Sequence, residues 1–359
     1  MDPCHAAVLR TPDNPMRVER ISLRPPRGGE VLVRTMSAGI CGTDLHFATG
    51  RFPYPLPTVL GHEASGIVEA TGPGVDEFSP GDRVIVCDQV FCGRCAACLS
   101  GEMVYCIDPG PKQRQRDRLR VEGAAVRQYL GVSAFAEQMV VDATALIPMP
   151  RELSFEAGAL LSCCLTTGMA SVFNVAGVRP GSTVAILGCG GVGLGAVQAA
   201  RISGAARIIA TDLEEHRLQA ACDLGATDTL NAGKVDITGS IQELCGGVDY
   251  AIEAVGLVET ASQAFTVLRP GGNAVVMGMM PANATIPVPG RLLRQGRTLA
   301  GTVMGSVRTR HDIPRYAELA LRGTLDTERL ITSIRPLAQV DDAVQAATER
   351  TGIRELLEF

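Results

Sequence analysis

The sequence predicts an α/β protein of two domains: a doubly wound parallel sheet and a separate, smaller-stranded β-rich domain. Three observations predict it. The chain has 359 residues, more than one core of about 250–300 residues usually holds. Its middle third alternates short apolar runs with helix-length segments, the signature of a parallel sheet. Its first ~160 residues instead carry Pro and Gly punctuation between short β-like runs.

The elements follow in order. In the first part, Glu30–Met36, Gly66–Ala70 and Arg83–Val86 read as strands. From Pro180 the texture changes: Thr183–Leu187 is an apolar strand, glycines follow, and a small-residue helix runs through Ile202. Arg207–Ala210 is a second strand and Glu214–Leu224 a second helix, stopped by Gly225. Val248–Ala254 (strand), Thr260–Leu268 (helix) and Ala274–Met277 (strand) continue the alternation. It fades after Gly305, so the last ~50 residues are expected to return to the first domain. The charged run Lys112–Arg120 reads as an exposed loop.

Composition narrows the function. Apolar residues are 46% and charged residues 20%, which excludes disordered, collagen-like and coiled-coil chains. No apolar stretch approaches the ~18–20 residues of a membrane helix. The N-terminus has no basic flank followed by an apolar core, so no signal peptide and a cytoplasmic enzyme are expected. A net charge of −5 gives no electrostatic reason to expect nucleic acid. Of 33 basic residues only Lys112 and Lys234 are lysine, a bias that reads as genomic rather than functional. Twelve cysteines in a reducing compartment point to metal ligands or catalysis rather than disulfides.

Cys92, Cys95, Cys98 and Cys106 sit in CGRCAACLSGEMVYC. Four thiolates so close in a glycine-containing loop can converge on one tetrahedral ion and suit a closed, structural Zn²⁺ site. An iron–sulfur cluster is the chemical rival, but no second cysteine group supports it and no Pro follows the last Cys. Further on, Gly188-Cys189-Gly190-Gly191-Val192-Gly193 matches G-x-G-x-x-G between a strand and a helix. The first Gly permits the turn, the second lets backbone approach a pyrophosphate, and the third allows close helix packing, with free N–H groups facing the phosphates. Asp212 ends the next strand, nineteen residues after Gly193, where a carboxylate binds ribose hydroxyls and repels a 2′-phosphate. NAD is therefore expected over NADP, and Arg217 is placed beside the ribose. Cys41 in GICGTDLH, His62 in LGHEASG and the pair Cys163-Cys164 remain as scattered candidates.

Taken together, Cys41-Gly42-Thr43-Asp44, Gly61-His62-Glu63, the cysteine quartet, Cys163 ahead of Thr167-Gly168, the nucleotide loop and Asp212 resemble the zinc-dependent medium-chain dehydrogenase/reductase superfamily, in its alcohol dehydrogenase branch. The resemblance covers essentially the whole chain. It implies a GroES-like catalytic domain (1–164 and 306–359) holding both zinc sites, and a Rossmann NAD-binding domain (165–305). Cys41, His62 and Cys163 would be the catalytic zinc ligands, Cys163 rather than Cys164 because the family ligand lies five residues before Gly168. Such a set leaves a fourth position for water or substrate. Polyol dehydrogenases usually place a glutamate at the Cys163 position, so the thiol favours the alcohol branch. Glu63 and Asp44 would stand behind the ligands, with Asp44 orienting His62. Thr43 and His46 would relay the alcohol proton to solvent. Thr167 would contact the nicotinamide, Met277 would belong to the cofactor site, and Arg354 would contact the pyrophosphate.

The same resemblance implies reversible hydride transfer between a primary or secondary alcohol and NAD. Oxidation of a thiol–formaldehyde adduct, and a nicotinoprotein that never releases NAD, are the alternatives. Two departures stand out. Gly42 replaces a basic residue that often binds pyrophosphate, which implies weaker NADH retention. Asp88 replaces a bulky aromatic wall of the substrate pocket, which implies either that the substrate bears a polar or cationic group or that Asp88 turns away or pairs with a nearby arginine. Phe52, Tyr129 and Leu130 would be further walls. The long segment between Cys106 and Gly131 occurs in homodimeric relatives, so a homodimer through the edge strand near Thr298–Met304 is expected.

Overall fold

The computed structural model describes residues 3–108, 110 and 117–359. The chain divides into two compact units, residues 1–163 with 308–359, and residues 164–307.

The first unit is built on two sheets. Strands Cys4–Leu9, Arg17–Leu23, Leu119–Val121, Ala124–Gln128 and Thr58–Val59 close a small barrel. The second sheet is organised around the ten-residue strand Glu30–Gly39, which pairs antiparallel with Glu63–Thr71, Gln138–Asp142 and the C-terminal strand Arg354–Glu358. Its burial alternates little, because Val31, Leu32, Val33 and Ala38 all lie in the core together with Val8, Val59, Phe135 and Val140. Residues 308–359 belong to this unit, and their last strand pairs along one edge of the central strand.

The second unit is a six-stranded, all-parallel sheet. Numbered within this unit, its strands are β1 (Thr183–Leu187), β2 (Arg207–Asp212), β3 (Asp228–Asn231), β4 (Val248–Glu253), β5 (Leu268–Val276) and β6 (Thr298–Gly301). Their spatial order is 3-2-1-4-5-6, the dinucleotide-binding order in which ligands lie outside the carboxyl ends near the β1/β4 reversal. β3 and the helix Ile237–Cys245 were not legible in sequence. All four residues of β3 are only half-buried, so it lacks the apolar run that marks the inner strands.

The charged run behaves differently from the exposed loop the sequence predicts. Residues 112–116 lie outside the described residues. Of the remainder, Asp117 and Arg120 are exposed, but Arg118 is 1% exposed and Leu119 opens a barrel strand. The Arg118 guanidinium donates to Glu30 Oε1 (2.9 Å) and Gln128 Oε1 (3.0 Å). Glu30 is buried at the start of the central strand and also takes both terminal nitrogens of Arg24 and the Arg27 N–H. A buried charge survives only when paired in this way. Among the described residues, no single helix is long and apolar enough to cross a membrane.

Burial alone would push the Glu30 carboxyl up, but Arg24, the Arg27 N–H and Arg118 outweigh it and hold it at about 2. A carboxylate depressed by folding contributes stability above its unfolded pKa and loses it as pH falls toward the folded value. Glu30→Ala is expected to cost about 3 kcal/mol, because it strands the buried Arg118. Urea denaturation at pH 7 measures this, and the gap between wild type and variant should narrow between about pH 5 and pH 2.

Candidate metal centre and nucleotide loop

Cys41, the adjacent His62 and Glu63, and Cys163 come from three separate stretches of the first unit, yet their ligand atoms all lie within 4.8 Å of one another. All four residues are buried. Cys41 caps the short helix Gly42–Ala48, whose first turn contains Asp44. The Asp44 carboxylate accepts from Cys41 N (2.9 Å), from Gly61 N (3.2 Å) and from His62 Nδ1 (3.1 Å). One buried acid thus ties two ligand segments together and leaves His62 Nε2 to face the cluster. His62 and Glu63 lead into the strand that pairs with Gly39. Cys163 sits where the helix Phe155–Ser162 breaks, at φ −143°, ψ −71°, so its Sγ leaves the helical path.

Arg354 supplies what the sequence did not show. The C-terminal strand lies against the central strand, pairing Leu356 with Gly39. It delivers a fully buried guanidinium onto Glu63 Oε2, across 291 residues of sequence. The sequence expectation assigns Arg354 to a pyrophosphate; in the structure its guanidinium contact is with Glu63, and its charge also reaches Cys41. Room for the pair comes from Gly39, where a Cβ would stand 2.4 Å from Glu63 Oε2 and 3.1 Å from an Arg354 nitrogen.

These residues fit a metal ion. Glu63 Oε1 is buried without a hydrogen-bond partner, an arrangement that costs free energy unless something fills it. A hydrogen bond from Cys163 outweighs burial and, with His62 and Arg354, holds the Cys41 thiol well below its usual range. The thiolate is the form that binds metal.

The cysteine quartet also forms as expected. Sγ–Sγ separations are 3.5 Å (Cys95–Cys98) and 3.9 Å (Cys92–Cys98 and Cys95–Cys106). Four sulfurs at ~2.3 Å around one zinc stand roughly 3.8 Å apart. Cys92 Sγ accepts from the N–H of Arg94 and Cys95, and Cys106 Sγ from that of Cys92. N–H bonds from Cys98 and Ile107 draw the Cys95 thiol down to about 6.

Beside the four-residue cluster lies an aromatic group. Tyr129 and His62 have ring centroids 5.9 Å apart, and Tyr129 also meets Phe47 (5.2 Å) and Tyr54 (5.3 Å). Phe52 packs edge-on against His46 at 5.3 Å. Leu130 adopts φ 48° at the end of this stretch. Thr43 is half-buried on the same helix as Asp44.

In the second unit the nucleotide loop joins β1 to the helix Gly191–Ile202. Gly188 has φ +95°, and a Cβ on Gly193 would stand 1.8 Å from the Gly188 carbonyl oxygen. Gly190 faces open space and caps the helix, which leaves backbone N–H groups free for an anion. Val192 shares the first turn. Asp212 ends β2 and accepts from Cys189 N at 2.7 Å, with Leu213 and Glu214 N–H on its other oxygen. Arg217 lies close enough for its charge to act on Cys189. Thr167 precedes Gly168, where a Cβ would meet Val192 O at 2.1 Å, so this helix packs directly on the loop. Met277 N–H donates to the Glu253 carbonyl at the end of β4. Sequence reasoning missed Glu253 itself: its buried Oε1 accepts from Val255 N, Gly256 N and the Thr260 hydroxyl, binding the turn beneath Gly188.

Comparison with known proteins agrees with this architecture. Residues 27–151 match the alcohol dehydrogenase GroES-like domain, and residues 191–322 match the zinc-binding dehydrogenase family. The chain is 35% identical to a crystallised alcohol dehydrogenase zinc-binding domain protein of Burkholderia ambifaria, covering 100% of this chain and 99% of that one (TM-score 0.95). The chain belongs to the zinc-dependent medium-chain dehydrogenase/reductase superfamily, in its alcohol dehydrogenase branch. It is an oxidoreductase of that family, with a GroES-like and a Rossmann-type domain. Benzyl alcohol dehydrogenase of Acinetobacter calcoaceticus is 31% identical over 100% of both chains (TM-score 0.93). A zinc-binding dehydrogenase of Sinorhizobium meliloti 1021, bound to NADP, is 28% identical over 100% of both (TM-score 0.84).

Gly39→Ala is expected to displace the Glu63–Arg354 pair and weaken metal binding at Cys41, His62 and Cys163 by about 10–100-fold. Competitive titration with a chromophoric chelator checks this. One weak site should appear, with the cysteine-quartet site unmoved.

Proposed function

We propose that this protein is an NAD-dependent zinc alcohol dehydrogenase interconverting a primary or secondary alcohol with its aldehyde or ketone. The observation that carries the reading is the buried Cys41, His62, Glu63 and Cys163 donor set, with one carboxylate oxygen unpaired. Cys41, His62 and Cys163 would hold a zinc ion, which would supply Lewis acidity that lowers the pKa of an alcohol. Cys92, Cys95, Cys98 and Cys106 would hold a second zinc that stabilises their loop.

The chain's own groups do the rest. Asp44 holds the His62 ring by its Nδ1 side. Arg354 offsets the negative charge of Glu63 and Cys41. Thr43 takes the proton from the alcohol oxygen and His46 passes it to solvent. Bound NAD would supply the hydride acceptor, and Thr167, Met277 and the Gly188–Gly193 loop are the residues that would hold it. The preference for NAD rests on Asp212, a carboxylate at the ribose position. A homodimer through the outer edge strand Thr298–Gly301 fits that strand's terminal place in the sheet.

The test is initial rates of NAD and NADP reduction across aliphatic, aromatic, polyol, amino- and carboxyl-bearing alcohols, with and without a zinc chelator. Turnover with NAD that disappears on chelation and returns with zinc is the expected result. Turnover indifferent to chelation overturns the reading.

Burial, reinforced by Arg51, lowers the His46 pKa below the usual histidine value against an opposing pull from Cys41. The neutral, proton-accepting ring therefore persists through pH 7 and is lost only as pH falls through the lowered value. Alcohol oxidation should decline on that acid limb, below about pH 6.5. His46→Gln should cost on the order of a hundredfold in kcat at pH 7 and flatten the limb in a pH–rate profile.

A further inference from the structure

A buried hydroxyl without a partner is rare, because its unmade hydrogen bond is costly. Tyr129 is 0% exposed and its phenol oxygen has no hydrogen-bond partner. The ring is fixed on three sides by Phe47, Tyr54 and His62, so it cannot swing the hydroxyl to water. Tyr54, in the same cluster, satisfies its own hydroxyl on the Gln128 carbonyl at 3.0 Å. The ring borders His62 of the ligand cluster, and Asp44, Cys41 and Asp88 lie close enough for their charges to act on the Tyr129 hydroxyl.

Asp88 reaches the same place from another strand. Strands Glu63–Thr71 and Arg83–Val86 are antiparallel, with Ala64 opposite Val86. Asp88 follows this strand by two residues and lies close enough to His62 for their charges to interact. Its Oδ1 accepts from Gln89 Nε2 at 3.1 Å, and among the described residues no ion pair neutralises it. Asp88 is half-buried, with Cys87 Sγ also on its Oδ1, and burial pushes its carboxyl above the ordinary range, so a further donor or a cation brought to it would be favoured.

We infer that Tyr129 and Asp88 form a polar specificity pair beside the metal ligands, selecting alcohols that carry a second hydrogen-bonding group, a hydroxyl or an amine, near the carbinol carbon. The inference rests on the alcohol dehydrogenase reading and sharpens it: an apolar alcohol leaves both groups unmatched, while a diol or amino alcohol engages both. A site built to hydrogen-bond a substrate group rejects the analogue lacking it far more strongly than an apolar pocket rejects one methylene.

The experiment compares propane-1,2-diol and 2-aminoethanol with 1-propanol and ethanol, using zinc-loaded wild type, Tyr129→Phe and Asp88→Leu. Two readouts are taken: the polar-to-apolar ratio of kcat/KM, and the spectral shift each alcohol produces on cobalt-substituted protein without turnover. Wild type should favour the polar member of each pair in both readouts, and each variant should lower the preference by about tenfold or more. Alcohol turnover with no polar preference, or a preference unmoved by both variants, overturns the inference and leaves the dehydrogenase reading intact. Polar preference in the cobalt spectra that collapses in the variants, without any turnover, upholds the pair and sinks the proposed reaction instead.

Discussion

The site depends on one carboxylate set behind the candidate metal ligands, that of Asp44. Asp44 accepts from the backbone of Cys41, the backbone of Gly61 and the ring of His62. Each of these bonds is charge-assisted and sheltered, and such bonds are roughly twice as strong as neutral ones. Asp44 can do this because it occupies the first turn of a helix capped by Cys41, where a negative charge is favoured by free N–H groups. A seven-residue helix has little stability of its own. What holds it is the aromatic packing of Phe47 and Phe52 together with that carboxylate, so local order and ligand placement are one interaction.

Charge then has to be balanced. Cys41, Cys163, Glu63 and Asp44 gather up to four negative charges in a buried volume, and Arg354 is the cation placed against them. The remaining imbalance favours a divalent cation and disfavours the empty, fully ionised cluster. The fold accommodates the imbalance at Gly39, the one position of the central strand where the absence of a Cβ admits the Glu63–Arg354 pair. Thus a glycine inside a strand, normally a weakness, is here the space in which an ion pair sits.

Legibility in the sequence follows the range of the interactions. The nucleotide loop was readable because its glycines, strand and helix are contiguous, and the structure shows the same requirement in the 1.8 Å approach at Gly193. The cysteine quartet was readable for the same reason. Cys41, His62 and Cys163 became a set only through resemblance, since nothing in their spacing says that they meet. Arg354 on Glu63 was not readable at all: the contact spans 291 residues and is fixed by strand register. Arg118 misled in the opposite direction. It sits in a basic run that looks solvated, yet Glu30, eighty-eight residues earlier, draws it into the core.

The two unusual groups beside the cluster gain meaning from that contrast. Glu30 is paired with Arg24 and Arg118, Asp44 with three donors, and Tyr54 with the Gln128 carbonyl, while the buried Ser37 hydroxyl and single guanidinium nitrogens such as that of Arg83 go without a partner. The Tyr129 hydroxyl is also without one, in a ring packed against Phe47, Tyr54 and His62. Glu63 Oε1 has no partner either, among donors whose chemistry suits a metal ion. Glu63 and Tyr129 are both fully buried and border the same histidine, so the physical argument that reads one as suited to an ion reads the other as suited to a substrate group. Stability alone would have favoured phenylalanine at position 129, because removing an unmatched hydroxyl is close to neutral or favourable.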